Sequence, residues 1–280
     1  MIITVASGKG GTGKTTVAVN LALSIGDCKI IDCDVEEPNV HMFLETGTLE
    51  TRPVLIPTPN VDQDRCTLCG DCGEFCQFNA IFVGKERVII YQDICHSCGG
   101  CSLVCPEHAI SESERQIGEI HITQYNDLQL VYGILEIGEP LATPVIKAIK
   151  SEIDGQGINI LDAPPGTACP VVETMEGSDY IILVTEPTPF GLHDLAMAVE
   201  VVKKLEIPHG VIINRTGIGD TKVSDYCKAK NIPILMEIPF DRKIAELYSQ
   251  GVPFVHRYSE WSVKFKQLFN TIKEAVRLGQ

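Results

Sequence analysis

The sequence predicts an α/β fold in which a mostly parallel sheet is covered by helices on both faces, with a small α+β unit inserted into it. Three observations lead there. Short runs rich in Val and Ile recur along the chain, separated by stretches of helical period, and that alternation builds a parallel sheet. The first run passes through a glycine-rich loop straight into a helix. A cysteine-dense segment then interrupts the alternation between roughly residues 62 and 115.

The first strand is Met1-Ile2-Ile3-Thr4-Val5-Ala6, and Val17, Leu21 and Ile25 mark the helix that follows. Between them Gly8-Lys9-Gly10-Gly11-Thr12-Gly13-Lys14-Thr15 fits the phosphate-cradling pattern G-x-x-x-x-G-K-S/T. Four glycines let backbone N–H groups converge on phosphate oxygens at a helix N-terminus, whose dipole favours negative charge. In such a loop Lys14 reaches the β- and γ-phosphates and the Thr15 hydroxyl ligates Mg²⁺, with Thr12 and Thr16 as further candidate contacts.

Cys28 to Asp34 reads as the second strand, ending in Asp32 and Asp34, with Glu36-Glu37-Pro38-Asn39 beyond. Carboxylates at a strand end beside a phosphate site are placed to hold Mg²⁺ or to orient a water, although an Asp there also forms turns. Cys28 and Cys33 read as small buried hydrophobes. Residues 40 to 61, with Ile56-Pro57-Thr58-Pro59, read as an exit from the first domain.

From Cys66 the spacing is Cys66-x2-Cys69-x2-Cys72-x3-Cys76, and it returns 29 residues later as Cys95-x2-Cys98-x2-Cys101-x3-Cys105-Pro106. C-x2-C pairs also make zinc ribbons, but this doubled run has iron–sulfur spacing. The repeat resembles a bacterial two-[4Fe–4S] ferredoxin. That resemblance implies one cluster on Cys66, Cys69, Cys72 and Cys105, and another on Cys95, Cys98, Cys101 and Cys76. Gln77 departs from the pattern, standing where Pro106 stands in the second run. The segment carries nine Asp or Glu against four Lys or Arg, which reads either as a surface that steers basic redox partners or as a merely solvated face.

The chain re-enters the sheet through Ile117–Ile122 and Leu128–Tyr132, an expected hairpin, then a helix from about Ala142 to Ile153. Ile158 to Asp162 is a buried strand opening into Ala163-Pro164-Pro165-Gly166. Cys169, just beyond, is either a buried inert thiol, the favoured reading, or one facing a redox group. Strands at Tyr180–Thr185, Val211–Arg215 and Ile232–Pro239 follow, interleaved with helices, the first from about Leu192 to Leu205. His193 and Cys227 read as structural. Trp261, Phe265, Leu268, Ile272 and Val276 form a helical stripe, expected to pack onto the domain rather than onto a membrane.

The early lysine in K-G-G-x-G-K-T, the D-x-D before Pro38-Asn39, and the D-x-P-P-G at 162–166 together resemble the P-loop NTPases of the MinD, Mrp and nitrogenase iron-protein family. The resemblance implies a homodimer with ATP sandwiched at its interface and Lys9 crossing to the partner's nucleotide. It gives Asp34 the attacking water, Asp32 a supporting place near Mg²⁺, Asp162 a water-mediated contact to Mg²⁺, and Gly166 the sensing of the γ-phosphate. It puts Asn214 against adenine, with Pro239 flanking the base.

The expected division is therefore an ATPase domain at 1–61 and 116–280 around a ferredoxin domain at 62–115. At 280 residues and 44% hydrophobic content the chain can bury a sizeable core, and its net charge of −14 argues against nucleic acid or anionic membrane partners. No leader precedes the first strand and no apolar run reaches the roughly 18 residues of a membrane span, so the expected place is the cytoplasm without stable membrane insertion. Twelve cysteines there point to metal or redox duty. The function expected is ATP-gated electron transfer through two [4Fe–4S] clusters to a redox partner. The alternative is an ATP-dependent carrier or scaffold that hands clusters to a client.

Overall fold

The computed structural model describes residues 1–44, 47–153 and 155–279. In chain order the strands and helices are β1 (Ile2–Ala6), α1 (Lys14–Ile25), β2 (Lys29–Asp32), β3 (Gly47–Val61), α2 (Asp71–Phe75), β4 (Ile81–Val83), β5 (Val88–Ile90), α3 (Gly100–Val104), β6 (Ile110–Tyr125) and β7 (Leu128–Leu135). There follow α4 (Thr143–Lys150), β8 (Asn159–Asp162), α5 (Cys169–Met175), β9 (Tyr180–Thr185), α6 (Pro189–Lys204), β10 (His209–Thr216), α7 (Lys222–Ala229), β11 (Ile234–Pro239), α8 (Arg242–Ser249) and α9 (Ser259–Leu278).

Nine strands share one sheet in the order β11-β10-β9-β1-β8-β2-β7-β6-β3. The seven from β11 to β7 are parallel, as the alternation predicts, and β6 and β3 add antiparallel pairs at one side. Both faces are covered. Val17 and Leu21 of α1 and Phe265 and Leu268 of α9 pack on one face, over Ile3, Val5 and Ile182. Val171, Leu195 and Val223, from α5, α6 and α7, cover the other over Ile181 and Leu183, and Ile146 of α4 extends that layer over Ile31 and Val131. Consecutive strand residues such as Ile181, Ile182 and Leu183 are fully buried because neighbours in sequence point to opposite covered faces.

From residue 47 on, the stretch expected as an exit loop is corrected to a 15-residue strand, β3; residues 45 and 46, before it, lie outside the described part. Its prolines misled the expectation for a physical reason. Pro53, Pro57 and Pro59 are an even number of residues apart, so their missing donors all fall on the same side of an edge strand, the side without a partner. The hairpin is real but longer than expected, and residues 110–116 are strand as well. The helix near Ala142 stops at Lys150, short of Ile153.

β6 pairs with β7 only as far as Gly118, whereas β3 and β6 continue together to Val61 and Ile110. Beyond Val54 the two strands therefore run alone for seven residues, roughly 24 Å at strand rise. A register shift between Val54 and Leu55 skips Ile117, bending the ribbon where it leaves the sheet. There Arg115 donates to Glu139 at 2.5 Å, tying the ribbon's root to the loop after β7. The segment from residue 62 to 109 sits at the far end.

Trp261, Phe265, Leu268 and Ile272 are buried against α1 and the sheet, so the terminal stripe is a core face. Phe265→Ala is expected to cost about 3–5 kcal/mol in urea unfolding, the range for emptying a buried aromatic site. A loss below about 1 kcal/mol would show that α9 is not docked in solution.

Candidate functional site

The C-terminal ends of the parallel strands meet along one edge, where open α/β sheets bind ligands. β1 runs into the glycine loop there. Gly11 and Gly13 take left-handed backbone angles, φ 76° and 96°, and a Cβ at Gly8 would stand 2.1 Å from the Asp194 carbonyl of α6. Only glycine lets the loop turn this tightly against its neighbours. Gly13 caps α1 with no side chain, which leaves the first-turn amides turned to the loop's interior, and Lys14 and Thr15 follow, both buried. Gly10 lies beside Pro165, and the Gly166 amide donates to the Ser7 carbonyl at 3.1 Å, so the 164–166 turn rests on the loop.

The register brings the carboxylates together. Asp162 at the end of β8 lies opposite both Val5 and Asp32. The Thr15 hydroxyl donates to Asp162 Oδ2 at 2.5 Å, while Asp162 Oδ1 is buried without a partner. Asp32 accepts backbone N–H groups from Asp34, Asn39 and Val40 at 3.1, 2.8 and 3.0 Å. Burial, and then its Asp32 neighbour, raises the Asp162 carboxyl well above the ordinary range, with Lys14 pulling the other way. Burial likewise raises Asp32 against its three amide donors. Asp34 is half-buried, and burial, opposed by Lys14, pushes it up to about 6. Two desolvated acids, an unpartnered carboxylate oxygen and a threonine hydroxyl make an oxygen set that fits a hard divalent cation such as Mg²⁺.

Beside the loop opens a cleft of about 200 Å³ lined by Gly13, Thr16, Asn214, Pro239, Phe240 and Tyr248. Asn214 Nδ2 donates to the Thr12 carbonyl at 2.8 Å, and Thr12 Oγ1 is buried without a partner. Lys9 is bound within its own subunit, its Nζ donating to Glu186 Oε1 at 2.6 Å, while Arg215 donates to Glu186 Oε2 at 3.1 Å. Burial works against the Glu186 carboxylate, but Lys9 and Arg215 outweigh it and hold its pKa below the ordinary value. Sequence reasoning missed Glu186 and the apolar lining from Phe240 and Tyr248. The rule that singled out Asp32 and Asp162 would have found Glu186, which follows directly on β9.

At the ribbon's end the 29-residue repeat is also a repeat of backbone. α3 falls 29 residues after α2, and left-handed angles recur in pairs at Leu68 and Ser97, Gly70 and Gly99, and Asn79 and His108. The eight cysteines divide between two cavities. One is lined by Cys66, Cys69, Cys72 and Cys105 beside Val61 and Ile110. The other is lined by Cys95, Cys98, Cys101 and Cys76 beside Pro57 and Pro59, nearer the sheet. Each run thus contributes three thiols to one cavity and its fourth to the other. The Ala80 and Ala109 amides donate to Cys76 and Cys105 at 3.3 Å. Gln77 leaves its turn unchanged, since Asn79 closes onto Cys76 as His108 closes onto Cys105. Among the described residues no three His, Cys, Asp or Glu converge as a single ion would need. The thiols gather instead in two sets of four, the number an iron–sulfur cubane takes.

Cys28, Cys33 and Cys227 are buried. Cys169 is corrected: it is exposed, because α5 begins with it at the open edge beyond Gly166. Among the described residues no helix is long and apolar enough to cross a membrane.

Because burial raises Asp162, the folded chain holds that proton more tightly than the unfolded one. Stability without nucleotide therefore falls as pH climbs from the ordinary Asp value of 3.8 through the raised one. Asp162→Asn is expected to raise the melting midpoint at pH 8 by about 2–4 °C and to change it little at pH 4.5. Thermal melts at the two pH values check this, and equal shifts at both would refute it.

The profile of the CobQ/CobB/MinD/ParA nucleotide binding domain matches residues 3–254. An uncharacterized protein of Methanocaldococcus jannaschii is 31% identical over 98% of this chain and 96% of its own length. A Pyrococcus horikoshii protein named iron-sulfur cluster carrier protein is 24% identical over 90% of this chain and 78% of its own. Among solved structures, the septum site-determining protein MinD of Pyrococcus horikoshii, complexed with Mg-ADP, shares the fold with a TM-score of 0.61 at 21% identity, covering 99% of this chain and 96% of that one. The chain therefore belongs to the CobQ/CobB/MinD/ParA nucleotide-binding family and is a P-loop ATPase of the MinD/ParA kind.

Proposed function

We propose that this ATPase couples a nucleotide-driven dimer switch to electron transfer through two [4Fe–4S] clusters held by residues 62–115, acting as a ferredoxin domain. The division of eight thiols into two crossed sets of four carries the reading. Bound there, the clusters would supply reversible one-electron storage. The protein's part is to hold them in closed four-thiol sites and to donate backbone N–H groups to the thiol sulfurs.

At the nucleotide site the amides of residues 8–13 cradle the phosphates and Lys14 neutralises their charge. Thr15, Asp32 and Asp162 surround Mg²⁺, and Asn214 and Pro239 hold the base. Asp34 orients the attacking water, and Gly166 senses the γ-phosphate. Lys9 leaves Glu186 to reach the nucleotide of a second copy across a homodimer interface. Nucleotide contacts at Asp34 and Gly166 then shift a sheet edge that also carries the ribbon, which is how ATP would govern access to the clusters.

The second reading is an ATP-dependent carrier that delivers clusters to a client protein. The names of the relatives support it better than they support electron transfer. The exposed Cys169 also favours it, two copies facing across a dimer supplying two of the four ligands that a labile cluster needs. Closed sites for all eight repeat cysteines favour resident clusters.

Anaerobic purification should yield about eight irons per chain, and electron paramagnetic resonance of the reduced protein should change on adding Mg·ATP. Iron passing to an apo-acceptor on adding ATP would decide for the carrier. A chain with no iron would overturn both readings. The crossed pairing makes a sharper demand: the double variant Cys76→Ser/Cys95→Ser is expected to keep about four irons, whereas uncrossed pairing would leave almost none. Asp34→Asn should lower ATP turnover by about 10²-fold with nucleotide binding retained, measured by steady-state hydrolysis and equilibrium binding.

A further inference from the structure

The two cysteine cavities are copies, so whatever distinguishes them stands out. Each has a matched pair of left-handed turns, one backbone N–H on a thiol at 3.3 Å, one exposed cysteine (Cys69 or Cys98) and one lining glutamate (Glu107 or Glu112). Phe75, Phe78 and two prolines line only the cavity nearer the sheet, and a polar difference lies between the first two cysteines of each run. Leu68 lines the cavity at the ribbon's tip, and its counterpart Ser97 lines the cavity nearer the sheet, in the same left-handed conformation. The adjoining His96 is engaged elsewhere, stacked on Phe78 with ring centroids 3.6 Å apart.

The Ser97 hydroxyl is buried and has no hydrogen-bond partner. A buried O–H without an acceptor is costly, and the cavity it lines offers four cysteine sulfurs beside the Glu112 carboxylate. Hydrogen bonds to the sulfurs of an iron–sulfur cluster help set its potential, and they favour the reduced form because it carries one more negative charge. Burial opposes this, since Cys95 is buried where Cys66 is half-buried, but both cavities keep an exposed cysteine, whereas a lining hydroxyl stands in one of them alone at this position.

We infer that Ser97 makes the cluster nearer the sheet the easier of the two to reduce, so that an electron entering at the ribbon's tip comes to rest beside the ATPase. One electron leaves an outside one-electron donor and reduces the tip cluster, then passes inward, re-oxidising the tip cluster by one electron as it reduces the inner one. No proton or bond is exchanged. The inference rests on the reading of the cavities as cluster sites and holds whether electrons or clusters leave the protein.

The test is an anaerobic redox titration of the full chain with dithionite, followed by electron paramagnetic resonance, with iron counted in every sample. Ser97→Ala is expected to lower the higher of the two potentials by about 59 mV, a tenfold change in a one-electron equilibrium, and to leave the lower one in place. Leu68→Ser, which adds the hydroxyl to the other cavity, is expected to raise the lower potential. It keeps the inference falsifiable should Ser97→Ala weaken iron binding. Unchanged potentials at about eight irons per chain, or movement of the lower potential in Ser97→Ala, would overturn the role of Ser97 alone. A parent chain without iron would overturn the cluster reading beneath it.

Discussion

The parallel register of β8 between β1 and β2 is the constraint on which the site depends. It sets Asp162 level with Asp32 and with Val5, three residues before the glycine loop opens at Gly8. A slip of one residue would turn Asp162 into a covering layer and send its neighbours to the wrong face. The Thr15–Asp162 hydrogen bond then ties α1 to β8 across the loop, so phosphate-binding and cation-binding groups are positioned by one piece of sheet. Strand order extends the logic sideways. From β1 the edge passes through β8 and β2, with their carboxylates, to β7 and then to the β6–β3 ribbon.

The site is expensive to hold together without its ligands. Asp32 and Asp162 are fully buried with like charge between them, and only Lys14, Thr15 and a few backbone amides offset this. Such groups lower the stability of the resting fold and are kept for what they bind. The Glu186 pair with Lys9 and Arg215 belongs to the same economy of charge, since it shelters a loop cation that the resemblance assigns to another subunit.

Much of this was legible in the sequence because its signals were local. The glycine loop, the strand-end aspartates and the cysteine spacing each report a geometry that a few consecutive residues determine. What was not legible depended on partners far apart in the chain. β3 looked like a loop because prolines forbid a central strand, and nothing within residues 47–61 says that the strand lies at an edge. Glu186 stands at a strand end, where the carboxylate rule could flag it, but its partner is known only once β9 brings it to Lys9, 177 residues earlier in the chain. Cys169 was expected to be buried, as most lone cysteines are, but it begins a helix at the open edge of the sheet.

The three prolines of β3 have one more effect. A two-stranded ribbon standing clear of its sheet exposes a long free margin, the kind of template on which stray chains polymerise into fibrils. Along that margin Pro53, Pro57 and Pro59 offer no donor, so an incoming strand would find three rungs missing, two of them consecutive. A projecting arm is in this way protected against its own stickiness.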